Sequence, residues 1–105
     1  MLENQKCVPC SGGAPPLSRE EAEVFLKETP EWTLKGGAIE REFRFKDFRE
    51  AIGFVNKVAD VAEAERHHPD IYIYYNKVRL VHSTHKIGGL SKNDFILAAK
   101  VDRLV

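Results

Sequence analysis

Three times along this chain a helix-capping residue is followed three positions later by an acid: Ser18-Arg19-Glu20-Glu21, Asp47-Phe48-Arg49-Glu50 and Ser91-Lys92-Asn93-Asp94. In such a box the first side chain accepts from the third helical amide, and the acid reaches back to the first residue's own amide. Each box therefore marks a helix start. Helix 1 is expected from about Arg19 to Lys27, ending before Pro30. In helix 2 the residues Phe48, Ile52, Val55, Ala59 and Ala62 step by four and three, which predicts one apolar stripe. Its end is expected near His67, because a residue preceding proline is pushed out of the helical region. Helix 3 runs toward the C-terminus with Leu97, Val101 and Leu104 on one face.

Between the boxes the period changes from helical to alternating. Trp32 to Lys35 and Ala38 to Phe45 read as two strands around Gly36-Gly37, a compact hairpin turn. Ile39, Phe43 and Phe45 share one face, Glu40, Glu42 and Arg44 the other, and Arg41 interrupts the apolar side. Asp70 to Tyr75 and Val78 to Ser83 read as a second hairpin around Asn76-Lys77, and Gly88-Gly89 marks a loop. The order helix, strand, strand, helix, strand, strand, helix predicts an α+β fold. Its hairpins give one four-stranded antiparallel sheet, with the three helices packed on one face.

A chain of 105 residues makes one domain, 18–105, preceded by a Gly- and Pro-rich extended arm, 1–17. Sixteen Lys and Arg balance sixteen Asp and Glu, which argues against a general nucleic-acid binder. No apolar run approaches the roughly 18 residues of a membrane span. The first six residues lack the apolar stretch of a signal peptide, so a cytoplasmic location is expected. Cys7 and Cys10 have the spacing of half a zinc site or a redox pair, but no second pair accompanies them. Two reduced thiols on the arm are the favoured reading.

Chemistry concentrates at His67-His68-Pro69, with Glu63 one turn upstream and Ser83-Thr84-His85 downstream. Imidazoles exchange protons near neutrality, so several beside a carboxylate suit acid–base work on a small molecule. Glu63 and His67 are four apart and would share a helix face; His68, in extended backbone, points elsewhere. Pro69 holds the chain's exit rigidly, and the Ser83 and Thr84 hydroxyls suit hydrogen bonding to a polar heterocycle. His82 shares strand parity with Val78 and Leu80 and reads as structural. Tyr72, Tyr74 and Tyr75 read as sheet packing, and Asp94 as the cap of helix 3.

The stretch from Glu63 to Asp94 closely resembles the signature of the pterin-4a-carbinolamine dehydratases. That signature is an acid, His-His-Pro, an aromatic, Ser-Thr-His, then an aspartate; here Glu63, His67-His68-Pro69, Tyr75, Ser83-Thr84-His85 and Asp94 supply it. The likeness extends to Tyr75-Asn76-Lys77-Val78, Gly89-Leu90-Ser91, Trp32 and the Cys- and Pro-containing arm of bacterial members. The resemblance implies dehydration of 4a-hydroxytetrahydropterin to quinonoid dihydropterin, in recycling of tetrahydrobiopterin, with neither metal nor cofactor. It implies catalytic roles for Glu63, His67, His68 and His85. It implies substrate contacts from Arg66, His67, His68, Pro69, Ser83, Thr84, His85 and Lys86. Arg66 and Lys86 stand where some relatives carry acids. The resemblance also implies a homodimer or homotetramer, consistent with the exposed sheet edges expected of so small a domain.

Three other readings stay open beside this one. The first is a binding role, since some relatives act as dimerisation cofactors for a transcription factor. The second is a metal site built from Cys7, Cys10 and the histidines. The third is a related dehydratase in another pterin pathway, such as molybdopterin metabolism.

Overall fold

The computed structural model describes residues 2–8 and 15–105. Its elements run α1 (Arg19–Leu26), β1 (Thr33–Lys35), β2 (Ala38–Arg44), α2 (Phe48–Glu65), β3 (Asp70–Tyr74), β4 (Lys77–His82) and α3 (Lys92–Asp102). The strands form one antiparallel sheet in the order β1-β2-β4-β3, and the fold is α+β as the sequence predicts. The two hairpins meet along β2 and β4, where Ile39 lies opposite His82, Arg41 opposite Leu80 and Phe43 opposite Val78. Partners across an antiparallel ladder point the same way. These residues therefore make the core-facing surface, while Glu40, Glu42 and Arg79 face out. Gly36 takes a positive φ of 56° in the first hairpin turn.

All three boxes start helices, with one variation. In α1 the Ser18 side chain accepts from Glu21 N, and Glu21 accepts in return from Ser18 N. In α2 Asp47 accepts from Glu50 N, but Glu50 reaches one residue further back, to Lys46 N. In α3 Ser91 N donates to Asp94 Oδ2. This third helix is buried on nearly every side: Asn93 through Ala99, and Val101, are all shielded from solvent. Such all-round burial marks a helix at the centre of its domain. It contacts α2, α1 and the N-terminal turn Leu2–Asn4.

The structure corrects several expectations of detail. The buried stripe of α2 is Ala51, Phe54, Val58 and Ala62, whereas Phe48 is half exposed and Ala59 lies in solvent. Ala62 belongs to both stripes and Ile52 and Val55 are half-buried, so the buried face is centred ~75° from the one read off the sequence. Aromatic packing decides the rotation, because Phe54 stacks on Phe43 (4.7 Å) and on Phe45 (5.0 Å). The second hairpin turns at Tyr75-Asn76 rather than Asn76-Lys77, with Tyr75 at φ 56°. Asn76 clamps the end of β2: its carbonyl accepts from Phe45 N and its Nδ2 donates to Phe45 O. Helix α3 stops at Asp102, short of Leu104.

Arg41, which interrupts the apolar side of β2, lies against the Phe43 ring and pairs with Asp102 at 2.7 Å. Trp32 Nε1 donates to the same carboxylate at 2.9 Å, so the sheet and α1's following loop are both tied to the end of α3. Residues 2–8 are packed against the domain. Leu2 is fully buried in the core, and the Glu3 carbonyl accepts from Lys100 Nζ at 3.0 Å. At Gly89 an added Cβ would lie 2.7 Å from Pro16 Cβ, so only glycine allows that close approach.

Candidate active site

One strained residue sets the geometry of the histidine pair. Helix α2 ends at Glu65 because Arg66 adopts the left-handed conformation, φ 54° and ψ 38°. Its amide and that of His67 both return to the Ala62 carbonyl, closing the last turn. Pro69 then keeps His68 out of the helical region. His67 is therefore not on the helix, and it does not share a face with Glu63. The expected Glu63–His67 pair is replaced by Glu63–His68, whose carboxylate oxygen and Nε2 lie 2.5 Å apart.

His67 takes a different partner. Its Nε2 lies 2.6 Å from Asp94 Oδ1, and the ring is only 12% exposed. Asp94 is fully buried. Its other oxygen accepts from Ser91 N and from Thr84 Oγ1, each at 2.9 Å, and Thr84 Oγ1 in turn lies 2.8 Å from Ser91 Oγ. A buried carboxylate needs such a set of donors. Since a carboxylate only accepts, Nε2 carries the proton in both His67 and His68. That leaves each Nδ1 as the nitrogen able to exchange a proton with a ligand. The two pairs differ in setting: His67–Asp94 is enclosed, whereas His68 and Glu63 are 60% and 76% exposed.

The opposite wall comes from the exit of β4. Ser83 and Thr84 leave the strand, and Thr84 bridges to Gly89. Between them His85–Ile87 makes a single 3-10 turn closed by Gly88 at φ 69°. The result is a cleft of about 460 Å³ between this loop and the end of α2. Arg66, His67 and His68 line one side of it, and Ser83, Thr84, His85 and Lys86 the other. Three imidazoles from two separate segments thus share one cavity, of a size that takes a small heterocyclic molecule. Pro69 and Glu63 are not on its surface; one fixes the backbone of His68 and the other its ring.

His82 is excluded from this work. It lies 1% exposed beside Trp32, ring centroids 4.4 Å apart, and its Nδ1 donates to the Asp94 carbonyl at 3.1 Å. Among the described residues its Nε2 has no partner. Burial lowers its pKa to about 4, so the ring is neutral.

Asp94 is the functional candidate that sequence reasoning reduced to a cap. It performs the capping with Oδ2 and holds His67 with Oδ1. Cys7 also lines the cleft, with Val8, Glu65 and Asn93. Cys10 lies outside the described residues, and among those described no group of three or more His, Cys, Asp or Glu is arranged to hold a metal.

Comparison with known proteins shows the family. The family described as "Pterin 4 alpha carbinolamine dehydratase" matches residues 15–104. A Halorhodospira halophila protein named "Putative pterin-4-alpha-carbinolamine dehydratase" is 52% identical over 105 residues, covering 98% of this chain and 96% of its own. A Methylococcus capsulatus protein of the same name is also 52% identical, covering 98% and 92%. Among solved structures, a transcriptional coactivator/pterin dehydratase from Brucella melitensis superposes with a TM-score of 0.81 at 33% identity. That match covers 85% of this chain and 97% of that one. A pterin dehydratase-like RuBisCO assembly factor of the alpha-carboxysome, 22% identical with a TM-score of 0.57, shares the fold. With its fold, its cleft and near-full-length identity all in agreement, this chain belongs to the pterin-4-alpha-carbinolamine dehydratase family.

Proposed function

We propose that the chain is a hydro-lyase that converts 4a-hydroxytetrahydropterin to quinonoid dihydropterin and water by histidine acid–base catalysis. The observation that carries this reading is the convergence of His67, His68 and His85 on one cleft, two of them backed by carboxylates. Hydroxide is a poor leaving group, so an acid must protonate the 4a oxygen as the neighbouring ring nitrogen supplies electrons to break the C–O bond. Water leaves as that bond breaks, and a base then takes the proton from the ring NH to give the neutral quinonoid product. The reaction needs no metal or cofactor in this scheme.

His67 and His85 stand at the carbinol face. Asp94 holds the His67 ring through Nε2, which leaves Nδ1 to deliver a proton. His68 accepts the ring NH proton through Nδ1, with Glu63 holding the opposite nitrogen. Ser83, Thr84, Arg66 and Lys86 bind the ring edges and substituents. The protein would act in the cytoplasm in recycling of tetrahydrobiopterin, as a homodimer or homotetramer joined through the exposed β3 edge.

The test uses carbinolamine generated in situ by a phenylalanine hydroxylase, with the spontaneous rate subtracted. His68→Ala and His85→Ala should each lower dehydration by ~10²-fold or more, the scale of general acid–base contributions. Wild-type rates in both folded variants would refute the mechanism. Full activity only in zinc-loaded protein would instead favour the metal reading. The coactivator in the Brucella structure's name motivates a second reading, as a binding partner of a transcription factor. Capture of a regulator by the His68→Ala protein would favour it.

A further inference from the structure

The N-terminal segment is tied at two points to the residues that precede the catalytic pair. Glu65 ends α2, two positions before His67, and its side chain is 7% exposed. One of its oxygens accepts from Cys7 N at 2.8 Å, and the other lies 3.8 Å from Lys100 Nζ. Asn93 immediately precedes Asp94 and is buried. Its Oδ1 accepts from Val8 N at 3.0 Å and its Nδ2 donates to Val8 O at 2.6 Å. Both ends of one amide thus engage one backbone residue, as a neighbouring strand would. At the far end Leu2 is buried in the core, and Arg103 pairs with Glu3 at 3.3 Å.

This is more than is needed to park a terminus. Burying a carboxylate and an amide on the backbone of two arm residues fixes where those residues lie. Where they lie is the cleft: Cys7 and Val8 line it beside the histidines. Val8 is 65% exposed, the one aliphatic side chain among the residues described as lining the cavity. Imidazoles and hydroxyls can address the edges of a flat heterocycle. A face of that ring needs an apolar contact, and Val8 supplies one.

We propose that Cys7 and Val8 form a substrate-positioning wall of the cleft, held in place by Glu65 and Asn93, with Val8 covering one face of the bound pterin. The inference rests on the pterin reading of the site. Asn93 and Glu65 are positioning residues, since they act through Val8 and Cys7. The wall contributes to binding and leaves the proton transfers to the histidines.

The experiment compares wild type, Asn93→Ala and Val8→Ala by steady-state dehydration. It adds hydrogen exchange of the peptide covering residues 2–8, with and without 7,8-dihydrobiopterin as a non-reacting pterin. Asn93→Ala should raise KM about tenfold, the scale of losing hydrogen bonds to an ordered group, with kcat within about twofold. Val8→Ala should raise KM by about threefold for its lost methyl groups. The pterin should slow exchange in residues 2–8 of wild type, and Asn93→Ala should speed exchange there without it. A fall in kcat at constant KM in Asn93→Ala would overturn the proposal, because it would show the residue acting through Asp94 and His67. Active wild type whose KM ignores both substitutions, with exchange indifferent to pterin, would overturn the wall and leave the dehydratase standing. Wild type that neither turns over nor binds pterin would overturn both. Should Asn93→Ala fail to fold, Val8→Ala and the wild-type exchange decide the matter.

Discussion

Replacing His82 by Phe should flatten the acid limb of the stability curve, because burial keeps the native imidazole neutral. The folded ring has its pKa lowered from 6.5 to about 4 by burial, while the unfolded ring titrates at its ordinary value. Between these two values the unfolded chain binds a proton that the native chain refuses. Stability therefore rises with pH through this window and is lost as pH falls through it. Each unit is worth ~1.4 kcal/mol, so the linkage removes ~2 kcal/mol at pH 5 and ~3 kcal/mol at pH 4, relative to pH 7. Phenylalanine keeps a ring beside Trp32 and cannot titrate. It gives up only the donor to the Asp94 carbonyl, a fixed offset of ~1 kcal/mol at every pH. Urea unfolding of both proteins at matched concentration, from pH 7.5 to pH 4, reads the difference directly. Whatever the gap at neutral pH, it should move in favour of His82→Phe by ~3 kcal/mol on reaching pH 4. All other titrating groups are common to the two proteins and cancel to first order. Parallel curves across the range would refute the reasoning, since they would mean that the buried imidazole is charged or solvated in the native state.

Three further outcomes are expected. Arg66→Gly should raise stability by ~1 kcal/mol in urea unfolding, because glycine adopts φ 54° without the Cβ penalty; no gain would mean the left-handed turn carries no strain. Phe54→Ala should cost ~3–5 kcal/mol, whereas Phe48→Ala, at a half-exposed position, should cost under ~1 kcal/mol. Equal losses in thermal or urea denaturation would contradict the observed rotation of α2. Asp94→Asn should lower kcat for dehydration by ~10²-fold, since the enclosed His67 loses its charged partner, while Glu63→Gln on the exposed pair should cost less than ~10-fold. The reverse order in the coupled hydroxylase assay would move the acid role from His67 to His68.

The helix starts were legible because capping chemistry is local: a Ser or Asp and an acid three residues on meet within one turn, whatever the rest of the chain does. Hairpins at Gly36-Gly37 and near Asn76 were legible for the same reason. The rotation of α2 was not. Phe48, Ile52, Val55 and Ala59 form one apolar stripe and Ala51, Phe54 and Val58 another beside it, so periodicity alone cannot choose between them. The choice is made by Phe43 and Phe45, which arrive from a different hairpin. The end of α2 shows the same limit on a smaller scale. Pro69 announces that a helix must stop, but it does not say that Arg66 turns left-handed, and that one φ moves His67 off the helix and hands Glu63 to His68.

Asp94 shows why a local signal and a functional one can be the same atoms. As the third residue of α3 it has to turn one oxygen back to Ser91 N, which fixes the plane of its carboxylate. The second oxygen then points away from the helix start, toward whatever the fold packs there. Because α3 runs through the centre of the domain, what lies there is the exit of α2, and His67 meets that oxygen at 2.6 Å across 27 residues of sequence. Thr84, from the end of β4, meets the capping oxygen from the other side. The box that starts the central helix is thus also the joint at which both walls of the cleft are fastened. A change that merely shifted this cap would move His67 and the Ser83-Thr84-His85 loop together, without touching either.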